Sequence, residues 1–353
     1  MALSDFKQFD ERDALYRNSK GKVKEAPKLP AGPRIADCHC HLGMLDDVPL
    51  ALARCAVNNV RFLECITDPS EKAEGELDAR AVYAALPQWI ADAEGVLEEW
   101  QRTDKHLPKV RLACGVHPHN AKRWAEAQDA LVELLHDPRT SCIGEIGLDY
   151  HYDLSPREVQ REVFSKQLQL AHQSGLPVQL HIREAHMDAL AILREQGCPE
   201  AGTVLHCFNL DTEALLPFVE LGCYISLGGP LTFKKEWQTR AAVLEVPADR
   251  ILTETDAPFM APEPLRGTVC QPDQTVFTLR TLLDILGYSG TDRACELVNP
   301  RSIDLQEGEA FEGVTPDTKM LQCGQDEGGF AALIYRNATQ LLDRRPNAWQ
   351  MGE

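Results

Sequence analysis

Short apolar runs recur along the chain, each ending in polar or glycine-rich sequence. They are IADCHCH (35–41), VRFLECI (60–66), VRLACGV (110–116), SCIGEIG (141–147), PVQLHI (177–182), TVLHC (203–207), CYISLGG (223–229) and RILTETD (250–256). Their length and content of β-branched residues predict buried strands. The segments between them are mostly helix-compatible. One helix is expected around 48–58. The clearest, SPREVQREVFSKQLQLAHQSG (155–175), has Ser155 as N-cap, Pro156 at the first helical position and Gly175 as stop. Repeated strand–helix units predict an α/β fold, a single (β/α)8 TIM barrel over 34–353, better than two domains.

Three stretches interrupt the alternation. Residues 1–33 form a polar N-terminal extension, ending in KEAPKLPAGP, that reads as loosely packed. An acidic insertion at about 67–109 contains an expected helical pair, with Pro87 marking a break or a new start. A second acidic insertion at about 288–328 is rich in Gly and weakly periodic. Helical periodicity returns at 328–345, where a final helix should pack on the barrel.

Composition narrows the function. The start has no continuous apolar segment of a signal peptide, and no run approaches the ~18 apolar residues of a membrane span. A soluble, cytoplasmic chain is expected, with no membrane contact and no stable protein partner. The twelve cysteines include no CxxC pair, so reduced, buried thiols are expected. Cys38 and Cys40 alternate with His39 and His41 and should face the other side of their strand; Cys207 should likewise turn away from His206. The net charge of −18 argues against broad electrostatic binding along duplex nucleic acid, but allows a small substrate or a strand end held locally.

The chemistry gathers at the ends of the runs. His39, His41, Glu145, His181, His206 and Asp256 are of the types that bind divalent transition metals. In a barrel, strand ends meet at one mouth, so the set predicts one metal site and metal-assisted hydrolysis. Asp37 precedes the HxH pair and could orient one of its imidazoles. Glu145 lies between Gly144 and Gly147, which permit close approach. His117 and His119 follow the third strand and point to the same mouth. Each residue alone also has a structural reading, as a hydrogen-bonded core histidine or a capping carboxylate.

DCHCH (37–41), GVHPH (115–119), GEIGLDY (144–150), QLHIREA (179–185), LHCF (205–208), TETDAP (253–258) and RG (266–267) occur in order. In these motifs the chain resembles the TatD-type metal-dependent deoxyribonucleases, amidohydrolase-like TIM barrels. The resemblance covers about 34–272, with a weaker echo at Asn337. It implies two, sometimes three, divalent ions: Zn, Mn or Mg. His39, His41, Glu145 and Asp256 would hold one ion, and Glu145, His181 and His206 the other, with Glu145 bridging. Such a site lowers the pKa of a water, for which Asp256 is the candidate general base. His117 and His119 would contact the scissile phosphate or donate a proton. Arg183 and Arg266 would hold phosphate oxygens, and Asp149 and Tyr150 would line the pocket. The implied activity is 3′–5′ exonucleolytic cleavage of DNA, or RNA, ends. Hydrolysis of another ester or amide, such as aminoacyl-tRNA deacylation, is the alternative; a non-catalytic barrel used for binding is a third. The chain departs from the family at Asn209-Leu210 after HCF, and at Cys270-Gln271-Pro272 where Asn-Glu-Pro is usual. Both departures bear on substrate more than on metal.

Overall fold

The computed structural model describes residues 15–70, 78–102, 106–289 and 326–345, with isolated positions 294, 297 and 298. Within them, eight parallel strands follow one another around a single sheet in sequence order. They are β1 (Ile35–Cys40), β2 (Val60–Thr67), β3 (Lys109–Cys114), β4 (Thr140–Asp149), β5 (Val178–Arg183), β6 (Thr203–Leu205), β7 (Tyr224–Leu227) and β8 (Ile251–Thr253). The segment after β8 brings the ends of the sheet together. Asp256 N donates to His39 O at 2.8 Å, and His41 N to Ala257 O at 2.7 Å. The expected α/β barrel is therefore the fold, and all eight expected strands are present.

Helices follow the strands outside the barrel: α1 (Val48–Val57), α2 (Ala79–Glu99), α3 (Trp124–Leu135), α4 (Arg157–Ser174), α5 (His186–Gln196), α6 (Thr212–Glu220), α7 (Trp237–Val243) and α8 (Thr275–Ile285). A last helix, α9 (Glu327–Leu342), lies across the opposite end from the strand carboxyl termini. Its Asn337 Nδ2 donates to Ala248 O and Ile251 O, at the start of β8. Its Ala338, Leu341 and Leu342 join an inner apolar cluster with Ala36, Phe62, Ala113, Cys142, Val204 and Leu252. These strand residues come from all around the sheet, so the cluster is the barrel filling and α9 its floor. No helix of the described residues is long and apolar enough to cross a membrane.

Several local expectations need correction. Pro87 does not break α2, which runs through it. Proline lacks the N–H that Tyr83 O would accept four residues back, and Arg139 Nη1 supplies that hydrogen bond instead, at 2.7 Å. The apolar stripe of Val82, Tyr83, Leu86, Ala93 and Leu97 is buried, so packing holds the helix on both sides of the proline. Ser155 does not cap α4: its hydroxyl donates to His119 O at 2.7 Å and accepts from Lys122 N at 3.1 Å. Gly175 ends α4 at φ 66°, as expected. The described part of the N-terminal extension is anchored, not loose. Tyr16 is fully buried, its ring edge-on to Phe277 and its hydroxyl donating to Asp273 O. The 288–328 insertion falls almost wholly outside the described residues.

A register shift between Asp37 and Cys40 breaks the strict alternation in β1. Cys38 packs in the inner cluster, whereas Cys40 belongs to the outer core. Only Cys40 thus follows the expectation that both thiols face outward.

Candidate metal centre

The six expected ligands converge at the carboxyl ends of the strands. Glu145 is the hub. Its Oε1 lies 2.6 Å from His181 Nδ1, 2.8 Å from His206 Nε2 and 3.8 Å from His117 Nε2. Its Oε2 lies 3.7 Å from His39 Nε2. On the same side as His39, Asp256 Oδ1 stands 3.7 Å from His39 Nε2 and 3.4 Å from His41 Nε2. The two carboxylate oxygens of Glu145 therefore face two separate sets of imidazoles. The His39 and His206 rings stack between the sets, with centroids 3.9 Å apart.

Local backbone chemistry puts these groups in place. A Cβ on Gly147, at φ 140°, would meet His181 O at 2.1 Å, so only glycine lets β4 approach β5 this closely. Gly144 is also crowded, its Cβ position being 2.8 Å from Gln179 Cβ. Asp256 adopts φ 59° and turns the chain across the barrel rim, a conformation that Asp tolerates better than most residues. His117 precedes a short 3-10 turn (Pro118–Arg123) and accepts from His119 N on its Nδ1.

Supporting partners differ from expectation. Asp37 does not orient an imidazole. It accepts from His39 N, Thr255 N and Thr255 Oγ1, and so ties β1 to the segment after β8. Gln179 holds His39 instead: its Oε1 is 2.7 Å from His39 Nδ1, and its Nε2 donates to Cys38 O. With Nδ1 engaged, Nε2 points to the centre, where it is buried without a hydrogen-bond partner. Glu254 stands 3.5 Å from His206 Nδ1 and accepts from Cys207 N. Asp149 bridges His119 Nε2 at 2.8 Å and His181 Nε2 at 3.2 Å. Gln179 and Glu254 carried no sequence signal beyond their places in the motifs. Tyr150 turns outward, its hydroxyl donating to Asp188. Burial pushes the Cys207 thiol up, and the charges of Asp256 and Glu254 add to the shift.

The electrostatics fit a cation site. Burial alone would push the Glu145 carboxyl up, but His206, His181 and His117 together outweigh it and hold it well below the usual range. Burial lowers His206 and His181, yet Glu145 raises both above the usual imidazole value, with help from Glu254 and Asp149 respectively. Burial drives His39 down to about 3, and the neighbouring His206 adds to the shift. Burial also holds His117 well below its usual value. Buried carboxylates facing imidazoles, with an unpartnered buried nitrogen at their focus, suit divalent ions held by N and O donors. Four triplets bring ligand atoms within 4.8 Å of one another: His39–His41–Glu145, His39–His206–Asp256, Glu145–His181–His206 and His117–His119–His181.

Both candidate phosphate-binding arginines stand against aromatic rings. Arg183, at the end of β5, places its guanidinium 4.7 Å from the Tyr152 ring centroid. Arg266 sits 4.2 Å from that of Phe233.

The sequence profile described as TatD related DNase matches residues 36–298. The chain belongs to this family. TatD-family relatives support the same placement. The uncharacterized metal-dependent hydrolase YabD of Bacillus subtilis is 38% identical over 217 residues, 61% of this chain and 82% of its own length. YcfH of Escherichia coli K12, also named as a metal-dependent hydrolase, is 36% identical over 244 residues, 67% of this chain and 83% of its own length. A protein of Escherichia fergusonii named 3'-5' ssDNA/RNA exonuclease TatD is 31% identical over 201 residues, 56% of this chain and 77% of its own length. The crystal structure of the TatD homologue YjjV of E. coli shares the fold, with TM-score 0.60 and 23% identity, covering 88% of this chain and 98% of that one. The protein is thus a metal-dependent hydrolase of the TatD family.

Proposed function

We propose that the protein is a 3′–5′ exonuclease that hydrolyses phosphodiester bonds at DNA ends, and acts in the cytoplasm. The observation that carries the reading is Glu145, whose two oxygens address two imidazole sets. His39, His41, Glu145 and Asp256 would hold one ion, and Glu145, His181 and His206 a second. The His117–His119–His181 triplet offers a place for a third. Such ions supply Lewis-acid charge and acidify a bound water. Asp256 takes the proton of the attacking water, since its Oδ1 already faces both imidazoles of the HxH pair. His117, kept neutral by burial, is suited to contact the phosphate more than to act as an acid. The Arg183 and Arg266 guanidinium groups, set against the Tyr152 and Phe233 rings, would hold phosphate oxygens.

The test is metal content together with a time course on a 5′-labelled single-stranded oligonucleotide, with and without added Mn²⁺. About two ions per chain and a ladder shortening from the 3′ end would support the reading. Bound metal without any cleavage would refute the exonuclease assignment and redirect the site to another ester or amide.

A further inference from the structure

Exposed apolar side chains are concentrated at the catalytic mouth. Among the described residues, six of the eight exposed large apolar side chains lie there, Val23 and Leu216 being the others: Tyr152 and Leu154 lie between β4 and α4, Met187 is in the first turn of α5, and Phe259, Met260 and Val269 lie between β8 and α8. All six stand on segments that leave the carboxyl ends of strands. Two of them touch the candidate centre directly. The Tyr152 ring, 54% exposed, meets the His119 ring edge-on with centroids 5.4 Å apart. The Phe259 ring, 50% exposed, meets His41 in the same way at 5.9 Å.

Both rings are fixed through the site itself. Tyr152 N donates to Asp149 Oδ1, and Asp149 also contacts His119 and His181. Phe259 N donates to Asp256 O. In an eight-stranded ring β4 and β8 lie diametrically opposite each other. The two rings therefore flank the centre from opposite sides, half open to solvent. Arg183 stacks on Tyr152, placing a cation beside that ring.

We propose that Tyr152 and Phe259 are nucleobase platforms, one on each side of the scissile phosphate, that select an unpaired strand end. The inference rests on the phosphodiesterase reading of the same site. Aromatic faces accept any base, but only one that has left its own stack. A paired end cannot offer both flanking bases to rings on opposite rims. With a net charge of −18, the protein is poorly suited to grip a strand by broad electrostatic attraction, so stacking would supply much of the hold.

The test compares the wild type with Tyr152→Ala and Phe259→Ala, and with the conservative Tyr152→Phe and Phe259→Tyr. Substrates are single-stranded oligonucleotides whose terminal nucleotide, or the one before it, carries a base or is abasic. Binding is read separately from the fluorescence of a terminal 2-aminopurine. Each alanine variant should raise KM roughly 5- to 100-fold, the range for losing one base–aromatic stack, with a much smaller change in kcat. It should also lose most of the preference for a base over an abasic site at one of the two positions, and the conservative variants should restore it. Metal-dependent cleavage with an unchanged base-to-abasic ratio in both alanine variants would overturn the platforms and leave the nuclease reading intact. If no oligonucleotide is cleaved, yet 2-aminopurine binding still depends on both rings, the platforms stand and the phosphodiesterase reading falls.

Discussion

At Glu145, burial pushes the carboxyl up while three imidazoles pull it down. Substituting Glu145 by Ala removes the group shared by both imidazole sets, so the two proposed ions should be lost together. Metal analysis should show near-zero content, with activity down by at least about 10³-fold. Loss of only one ion would contradict the bridging role. The raised pKa values of His206 and His181 carry a sign. Above their ordinary value of 6.5 the free imidazoles still hold protons, whereas a metal needs them neutral. Metal binding should therefore release protons, and affinity should climb as pH rises through neutrality. Titration calorimetry in two buffers of different ionisation enthalpy checks this; equal heats would contradict it. Gly147 gives a sharp structural prediction. A methyl group there would meet His181 O at 2.1 Å, so Gly147→Ala should cost about 3 kcal/mol or more in denaturant unfolding.

Elements show where periodicity suffices and where it fails. The strands were legible because each is a short apolar run ended by turn residues. The alternation inside β1 was not, since a register shift puts Cys38 in the barrel filling. Pro87 reads as a break because sequence alone cannot show that Arg139, on a distant segment, satisfies Tyr83 O. Arg139→Ala should cost about 1–2 kcal/mol through the carbonyl left unsatisfied and the lost pair with Asp137. Thermal unfolding beside the Asp137→Ala single variant separates the two contributions. Tyr16 lies in a stretch that reads as a polar extension, yet its burial between Asp273 and Phe277 makes it part of the core.

The whole molecule combines a strongly acidic chain with a site proposed to take a phosphodiester. If a strand end is held by ions, two arginines and stacking, few counterions are released on binding. The slope of log KM against log salt should then be about 1–2 in magnitude, well below that of proteins making many phosphate contacts. A slope of about 6 or more would mean a basic surface has been overlooked. The mouth and the floor of the barrel are built differently. At the mouth, polar groups converge on Glu145 within a rim of exposed apolar side chains, whereas α9 closes the floor with Ala338, Leu341 and Leu342.

The sequence by itself determined the strand order, the barrel and the meeting of six candidate ligands at its mouth. Strand-ending His, Glu and Asp need only the barrel's closure to meet, and the apolar runs already specify that closure. Tertiary structure alone decided what surrounds them. Gln179 orients His39, Glu254 backs His206, and Tyr152 and Phe259 stand open beside the imidazoles. These contacts join residues far apart in the chain, and no local pattern encodes them. They depend on loop conformation and on which face a shifted register leaves inward, both fixed only when the strands pack.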